Sequence, residues 1–232
     1  MDMRSFSSPD RVATLQSEFI RRVYNWMGLG LALTAIVAYY TAASPTLTRL
    51  IFGNQLIFFA LIIGELALVF GLSAAIDRLD PSTATLMFFV YAGLNGLTLA
   101  VIFLAYTRAS IANTFFVTAG TFGITSLYGY TTKRDLTSWG SFFFMGLVGI
   151  ILATVVNFFL QSETIYWVVT YIGIFVFVGL AAYDTQDIKN MAAAGFADSA
   201  TESKAAVIGA LRLYLDFINL FLMLLRIMGR RD

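Results

Sequence analysis

The chain predicts an all-α polytopic membrane protein, and three observations carry that reading. Of the 232 residues 59% are apolar and 12% charged, and the mean hydropathy is +0.78; a soluble chain of this length would lack the polar surface it needs. The apolar residues fall in runs of about 20, the length a helix needs to cross a hydrocarbon core about 30 Å thick. A few acidic side chains lie inside or at the edge of those runs, where an ionisable group at mid-helix costs roughly 2.5–3.5 kcal/mol on insertion scales.

Taken in order, the runs predict seven helices near residues 23–42, 56–75, 84–105, 111–128, 138–160, 165–183 and 206–227. They divide the chain into a cytoplasmic N-terminal segment, 1–22, a seven-helix transmembrane domain, 23–229, and a C-terminal tail, 230–232, with no room for a separate soluble domain. The first segment carries Asp10, Glu18, Arg21 and Arg22, a pattern unlike a cleavable signal or transit peptide. Pro45 and Pro81 stand between runs and mark two of the breaks. Gly28 with Gly30, Gly93 with Gly96, and Gly146 with Gly149 read as close-packing patches. The stretch from Asp187 to Ala205, DIKNMAAAGFADSATESKA, is expected to be a loop, a solvated tether in preference to a lid. An internal echo, GLSAAID at 71–77 against GLAAYD at 179–184, is too short to define a repeat.

Basic residues set the orientation. Arg4, Arg11, Arg21 and Arg22 precede the first run, and alternate linkers on the same side gain Arg78, Lys133, Arg134, Lys189 and Lys204. The N-terminus is therefore expected in the cytoplasm of a cell bounded by a plasma (bacterial inner) membrane. Seven full crossings would put Arg230 and Arg231 outside, against the same bias, so the side of the C-terminus stays open.

Absences exclude whole classes of chemistry. The chain has no Cys and no His, which removes disulfides, thiolate nucleophiles, histidine-ligated haem and the usual zinc sets. The lysines, Lys133, Lys189 and Lys204, fall between the expected spans, so a retinal Schiff base has no anchor. A net charge of +1 gives no case for nucleic acid. No tightly bound cofactor is expected. Any metal would be held by oxygen, which favours calcium, magnesium or monovalent ions.

The candidate chemistry rests on carboxylates. Glu65 is central in LIIGELALVF, Asp184 ends the sixth run with Asp187 a turn further on, and Asp216 interrupts LYLDFINLF in the last. Asp184 and Asp216 lie on successive antiparallel spans in the same half of the bilayer, where they can be neighbours. Two carboxylates that meet in a low-dielectric site cannot easily ionise together; they share a proton until a cation neutralises them. Calcium takes six to eight oxygens, so Asn219, Tyr183, Thr185, backbone carbonyls or water would complete the shell. Protons and a divalent cation would then compete for Asp184 and Asp216. Arg78 and Arg212 are candidate latches: Arg212 precedes Asp216 by one turn, and pairing with either arginine would favour the charged carboxylate. The plainer alternatives are acids hydrogen-bonded to Tyr, Thr or Asn, and arginines that snorkel to the headgroups.

In LYLDFINLFLMLLRIMG (213–229), AAYDTQDIK (181–189), KRDLTSWGSFF (133–143) and the glutamate of the second span, the chain resembles the transmembrane Bax-inhibitor-motif family over nearly its whole length. The resemblance implies six helices around a central C-terminal one, and a calcium leak governed by an aspartate pair that carries over as Asp184 and Asp216. A bacterial relative of this fold latches the first aspartate with an arginine of the second span; here Ile76 stands at that position and Arg78 follows two residues later.

Three functions compete. The leading one is a pH-sensitive cation leak channel, with calcium as the favoured ion, in which acid empties the site. The second is a non-transporting regulator that binds a membrane protease or a stress- or death-pathway partner. The third is an intramembrane aspartyl protease: Tyr183-Asp184 fits its first half, but Asp216 follows Leu213, Tyr214 and Leu215 where such enzymes resemble Gly-x-Gly-Asp. The chain is expected not to be an enzyme.

Overall fold

The computed structural model of the protein describes residues 9–231, with side chains from Thr14 onward. Eight α-helices follow one another: α1 (Pro9–Ala43), α2 (Pro45–Phe52), α3 (Gln55–Ala75), α4 (Pro81–Ala105), α5 (Arg108–Thr131), α6 (Thr137–Leu160), α7 (Glu163–Ala194) and α8 (Ser199–Met228), with a 3-10 turn, Ile76–Arg78, between α3 and α4. Among the described residues there is no β-strand, only an isolated bridge between Tyr106 and Arg231.

Local chemistry explains the breaks. Pro45 and Pro81 each open a helix, where the missing amide hydrogen costs nothing. Ser44 caps α2, Asn54 accepts from the amides of Leu56 (3.0 Å) and Ile57 (3.4 Å) at the start of α3, and Thr107 caps α5. Asp80 and Asp198 do the same for α4 and α8, accepting from Thr83 N (3.0 Å) and Thr201 N (2.6 Å). α2 occupies a stretch that the apolar pattern left as linker.

The expected loop at 187–205 is mostly helix. α7 runs on to Ala194 and α8 starts at Ser199, so only residues 195–198 connect them. The apolar run does end near Tyr183, but the Ala-rich continuation keeps high helix propensity and still buries Ile188 and Ala192 one turn apart. Gly195, at φ +78°, ends α7 in the left-handed conformation that glycine adopts without strain. Lys189 and Lys204 therefore stand on helices, and neither tether nor lid describes the segment.

Six helices are long and apolar enough to cross a membrane: α1, α3, α4, α6, α7 and α8. The remaining expected span, 111–128, is helical as α5, but its threonines and serines keep it below the apolarity of the others. α3 has a mean hydropathy of 2.4 with only 6% of its most apolar stretch buried, whereas 61% of the corresponding stretch of α8 is buried. Outward side chains such as Leu56, Phe70, Phe116 and Phe159 are 69–81% exposed, an apolar exterior that lipid solvates and water does not.

The chain divides into two compact units. The first takes the residues up to Ala105 together with Lys189–Tyr214; there α4 lies against α1 and α3, and the Tyr214 ring meets Phe88 and Tyr91 edge-on at 5.9 and 5.6 Å. The second takes Tyr106–Ile188 and the residues from Leu215 on, around a core that includes Phe143, Val176, Phe177, Leu180, Leu220 and Met223. In each expected small-residue patch one glycine is needed and its neighbour is not. A Cβ at Gly30, Gly96 or Gly146 would press on Phe88, Val37 or Val176, while Gly28, Gly93 and Gly149 have open space.

Candidate functional site

Both aspartates fall in the second unit and both are buried: Asp184 on α7 is 8% exposed and Asp216 on α8 is 4% exposed. Close helix approach positions Asp184. A Cβ on Gly129 of α5 would collide with the carbonyl of Ala182, and one on Gly140 of α6 would collide with the Tyr183 ring, so two helices press on α7 within a turn of the carboxylate. The Gln186 side chain then ties the α5–α6 turn down. Its Nε2 donates to Arg134 O and its Oε1 accepts from Leu136 N, both at 2.8 Å. Thr185 donates its hydroxyl to Ala181 O at 2.8 Å.

Asp216 is followed by Phe217, whose ring packs on Phe115 and Phe122 of α5, each at 5.5 Å. α5 thus touches α8 beside one aspartate through Phe122, and α7 beside the other through Gly129. The buried face of α5 comprises Ile111, Thr114, Thr118, Phe122, Ser126 and Gly129, the three- and four-residue spacing of one helical stripe.

Glu65 belongs to the first unit and to a different arrangement. Its carboxylate accepts from the Thr98 hydroxyl at 2.8 Å and from Asn95 Nδ2 at 3.2 Å. Asn95 Oδ1 in turn accepts from the Tyr214 hydroxyl (3.1 Å), which is 2.7 Å from the Thr34 hydroxyl, itself bonded to Ala92 O at 2.8 Å. Four helices, α3, α4, α8 and α1, are joined by this chain of polar groups. Glu65 therefore points at α4 and not at lipid.

The other expected residues are placed as follows. Asp187 is half-buried on α7; Asn219 is half-buried on α8 and donates to Leu215 O at 2.8 Å. Arg78 is exposed at the end of the 3-10 turn, and Arg212 is exposed on α8 one turn before Asp216. An ion pair joins Arg22 to Glu202 at 3.1 Å. Among the described residues no group of three or more acidic side chains gathers, so a cation at Asp184 or Asp216 would draw most of its oxygens from neutral groups. Ser126, Gln186, Thr34, Asn95 and Tyr214 were not singled out as site groups by sequence, because single polar residues in apolar helices read as packing.

Three carboxylates outside the spans stand at helix starts and titrate low. The hydroxyls of Ser82 and Thr83 hold the Asp80 carboxyl well below the usual carboxylate range. The Thr137 hydroxyl and amide lower Asp135, and the Thr201 amide and hydroxyl lower Asp198.

Long apolar helices with lipid-facing exteriors, and carboxylates withdrawn into the protein, define a multi-pass helical membrane protein. The model of the family described as "Inhibitor of apoptosis-promoting Bax1" matches residues 16–232, and the chain belongs to that family. It is 55% identical to the inner membrane protein YbhL of Escherichia coli K12 over 98% of this chain and 97% of that one. It is also 43% identical to a protein of Borreliella burgdorferi, covering 94% of each, and 45% identical to one of Rickettsia prowazekii, covering 92% and 89%. The protein is a multi-pass protein of the bacterial inner membrane.

Proposed function

We propose that the protein is a pH-sensitive cation leak channel, with calcium as its ion and Asp184 and Asp216 as its gate. The observation that carries this reading is the burial of both carboxylates, 8% and 4% exposed, within one unit of a membrane bundle. A charge held there is costly unless a proton, a cation or water compensates it. Protons and calcium compete for the same oxygens, so flux falls on acidification.

In this reading α5 is the seventh span, and α8 has the most buried apolar stretch of the six longer ones, 61%. The outward side chains of α5, including Phe116, Ile124 and Leu127, are 61–73% exposed and apolar. Several of its hydroxyls bond to the helix itself, as Thr118 does to Thr114 O at 2.8 Å and Thr125 to Thr121 O at 3.0 Å. The N-terminus is cytoplasmic.

Calcium flux into liposomes holding only this protein, followed from pH 5 to pH 8, tests the reading. Wild type should carry flux that falls toward pH 5, and Asp184→Asn and Asp216→Asn should each flatten the profile and change the flux by about tenfold or more, the scale on which a buried charge is felt. Unchanged flux and pH dependence in both variants would remove the aspartates from the gate. The family's description as an inhibitor of apoptosis-promoting Bax1 supports a second reading, a regulator that carries nothing; absence of flux from wild type at every pH would favour it.

A further inference from the structure

The stripe of α5 that meets α7 and α8 contains one polar atom that the fold leaves unused. The Ser126 side chain is 5% exposed, and its Oγ has no hydrogen-bond partner among the described residues. Serine and threonine hydroxyls in helices ordinarily donate to the carbonyl one turn back, as Thr118 and Thr125 do on this same helix. For Ser126 that acceptor is Phe122 O, which already takes the amide of the next helical turn and the Thr125 hydroxyl at 3.0 Å. The single Thr125 hydroxyl proton is shared between Thr121 O and Phe122 O, each at 3.0 Å, and the Ser126 hydroxyl makes no bond to Phe122 O.

Its position matters as much as its isolation. Ser126 stands one turn past Phe122, which touches the residue after Asp216, and one turn short of Gly129, which touches the residue two before Asp184. It lies on α5 between the two points at which that helix reaches the aspartates' helices. A hard divalent cation wants six to eight oxygens, and the described residues gather no third acid. A neutral hydroxyl with free lone pairs is the donor such a shell lacks.

We infer that Ser126 Oγ is a side-chain ligand, direct or through one water, for a divalent cation held at Asp184 and Asp216. This deepens the leak-channel reading and rests on it for the aspartates' role. The chain contains no cysteine, so Ser126→Cys introduces a lone thiol that a small cationic thiosulfonate reagent can probe in nanodiscs. The thiol should react between pH 5 and pH 8, and millimolar calcium should slow that reaction about tenfold; Phe116→Cys, 73% exposed on the outward face, should show no calcium protection. Ser126→Ala should raise the calcium concentration needed for half-maximal flux about threefold to tenfold, the scale of one lost polar contact, with folded yield unchanged. A Ser126→Cys thiol that is unreactive throughout, or reactive without calcium protection, overturns the inference, as does a Ser126→Ala variant with wild-type calcium dependence. Calcium protection is read without transport, so a wild type that binds calcium at this position but carries no flux refutes the leak and leaves the ligand in place.

Discussion

Two regions of this protein bury polar side chains among membrane helices, and they do it in opposite ways. Around Glu65 each group answers another: carboxylate to Thr98 and Asn95, Asn95 to Tyr214, Tyr214 to Thr34, with heavy-atom distances of 2.7–3.2 Å. Beside the helices of Asp184 and Asp216, α5 contributes a hydroxyl that no group answers among the described residues. In a low dielectric, a saturated network fixes one arrangement of helices, whereas a buried group with free lone pairs is paid for only by something that enters. The difference separates a region whose polar groups tie four helices together from one in which a buried hydroxyl is left over, the feature on which the proposed cation site rests.

The sharpest way to break the comparison is to pry apart the helices that frame the aspartates. Gly129→Leu drives a side chain into the Ala182 carbonyl and should leave little folded protein, since overpacking costs about 1–3 kcal/mol even where side chains can yield and backbone yields less. Gly120→Ala, on the same helix with open space beside it, should melt at or above the wild-type temperature. Equal melting temperatures for the two would show that α5 and α7 do not meet as described.

A smaller effect is expected in the saturated region. Tyr214→Phe and Glu65→Gln each remove hydrogen bonds worth about 1 kcal/mol apiece, so both should lower the melting temperature in detergent by a few degrees while flux per folded molecule stays at the wild-type level. A change in cation selectivity in Glu65→Gln at unchanged stability would instead put Glu65 on the lining of an ion path.

The smallest effect concerns pH. Asp80, Asp135 and Asp198 are held low by hydroxyl and amide donors. A depressed carboxylate contributes stability that is present above its ordinary range and is lost only as pH falls through the lower folded value. Their titration therefore lies below the ordinary carboxylate range, and Asp80→Asn, Asp135→Asn and Asp198→Asn should leave the flux profile between pH 5 and pH 8 where it was. A displaced midpoint would assign part of the acid response to the caps.

How much of this was legible in the sequence depends on the length scale of the signal. Spans were legible because an apolar run of membrane length is a long-range pattern, and the burial of Asp216 was legible because LYLDFINLF leaves a carboxylate few other places. The 187–205 stretch was misread because leaving the bilayer ends an apolar run without ending a helix; alanines and an Asp198 cap carried α7 and α8 onward. α2 was missed because eight residues are too few to show a period. Ser126, Gln186 and Gly129 were invisible as site residues for another reason. Each acts through a partner more than 50 residues away or through a bond it does not make, and neither leaves a local mark.

The polar stripe on α5 bears on how the molecule is made. Helices with the apolarity of α3 or α6 enter lipid on their own account, but α5 falls short of the six that qualify. Thr114, Thr118 and Ser126 have neighbours to face only once α7 and α8, later in the chain, have been synthesised. During synthesis α5 is thus a guest awaiting its hosts, shielded by threonines that bond to their own helix and by an outward face rich in phenylalanine. The polar stripe that lies against the aspartates' helices is also what makes α5 the last to feel at home in the membrane.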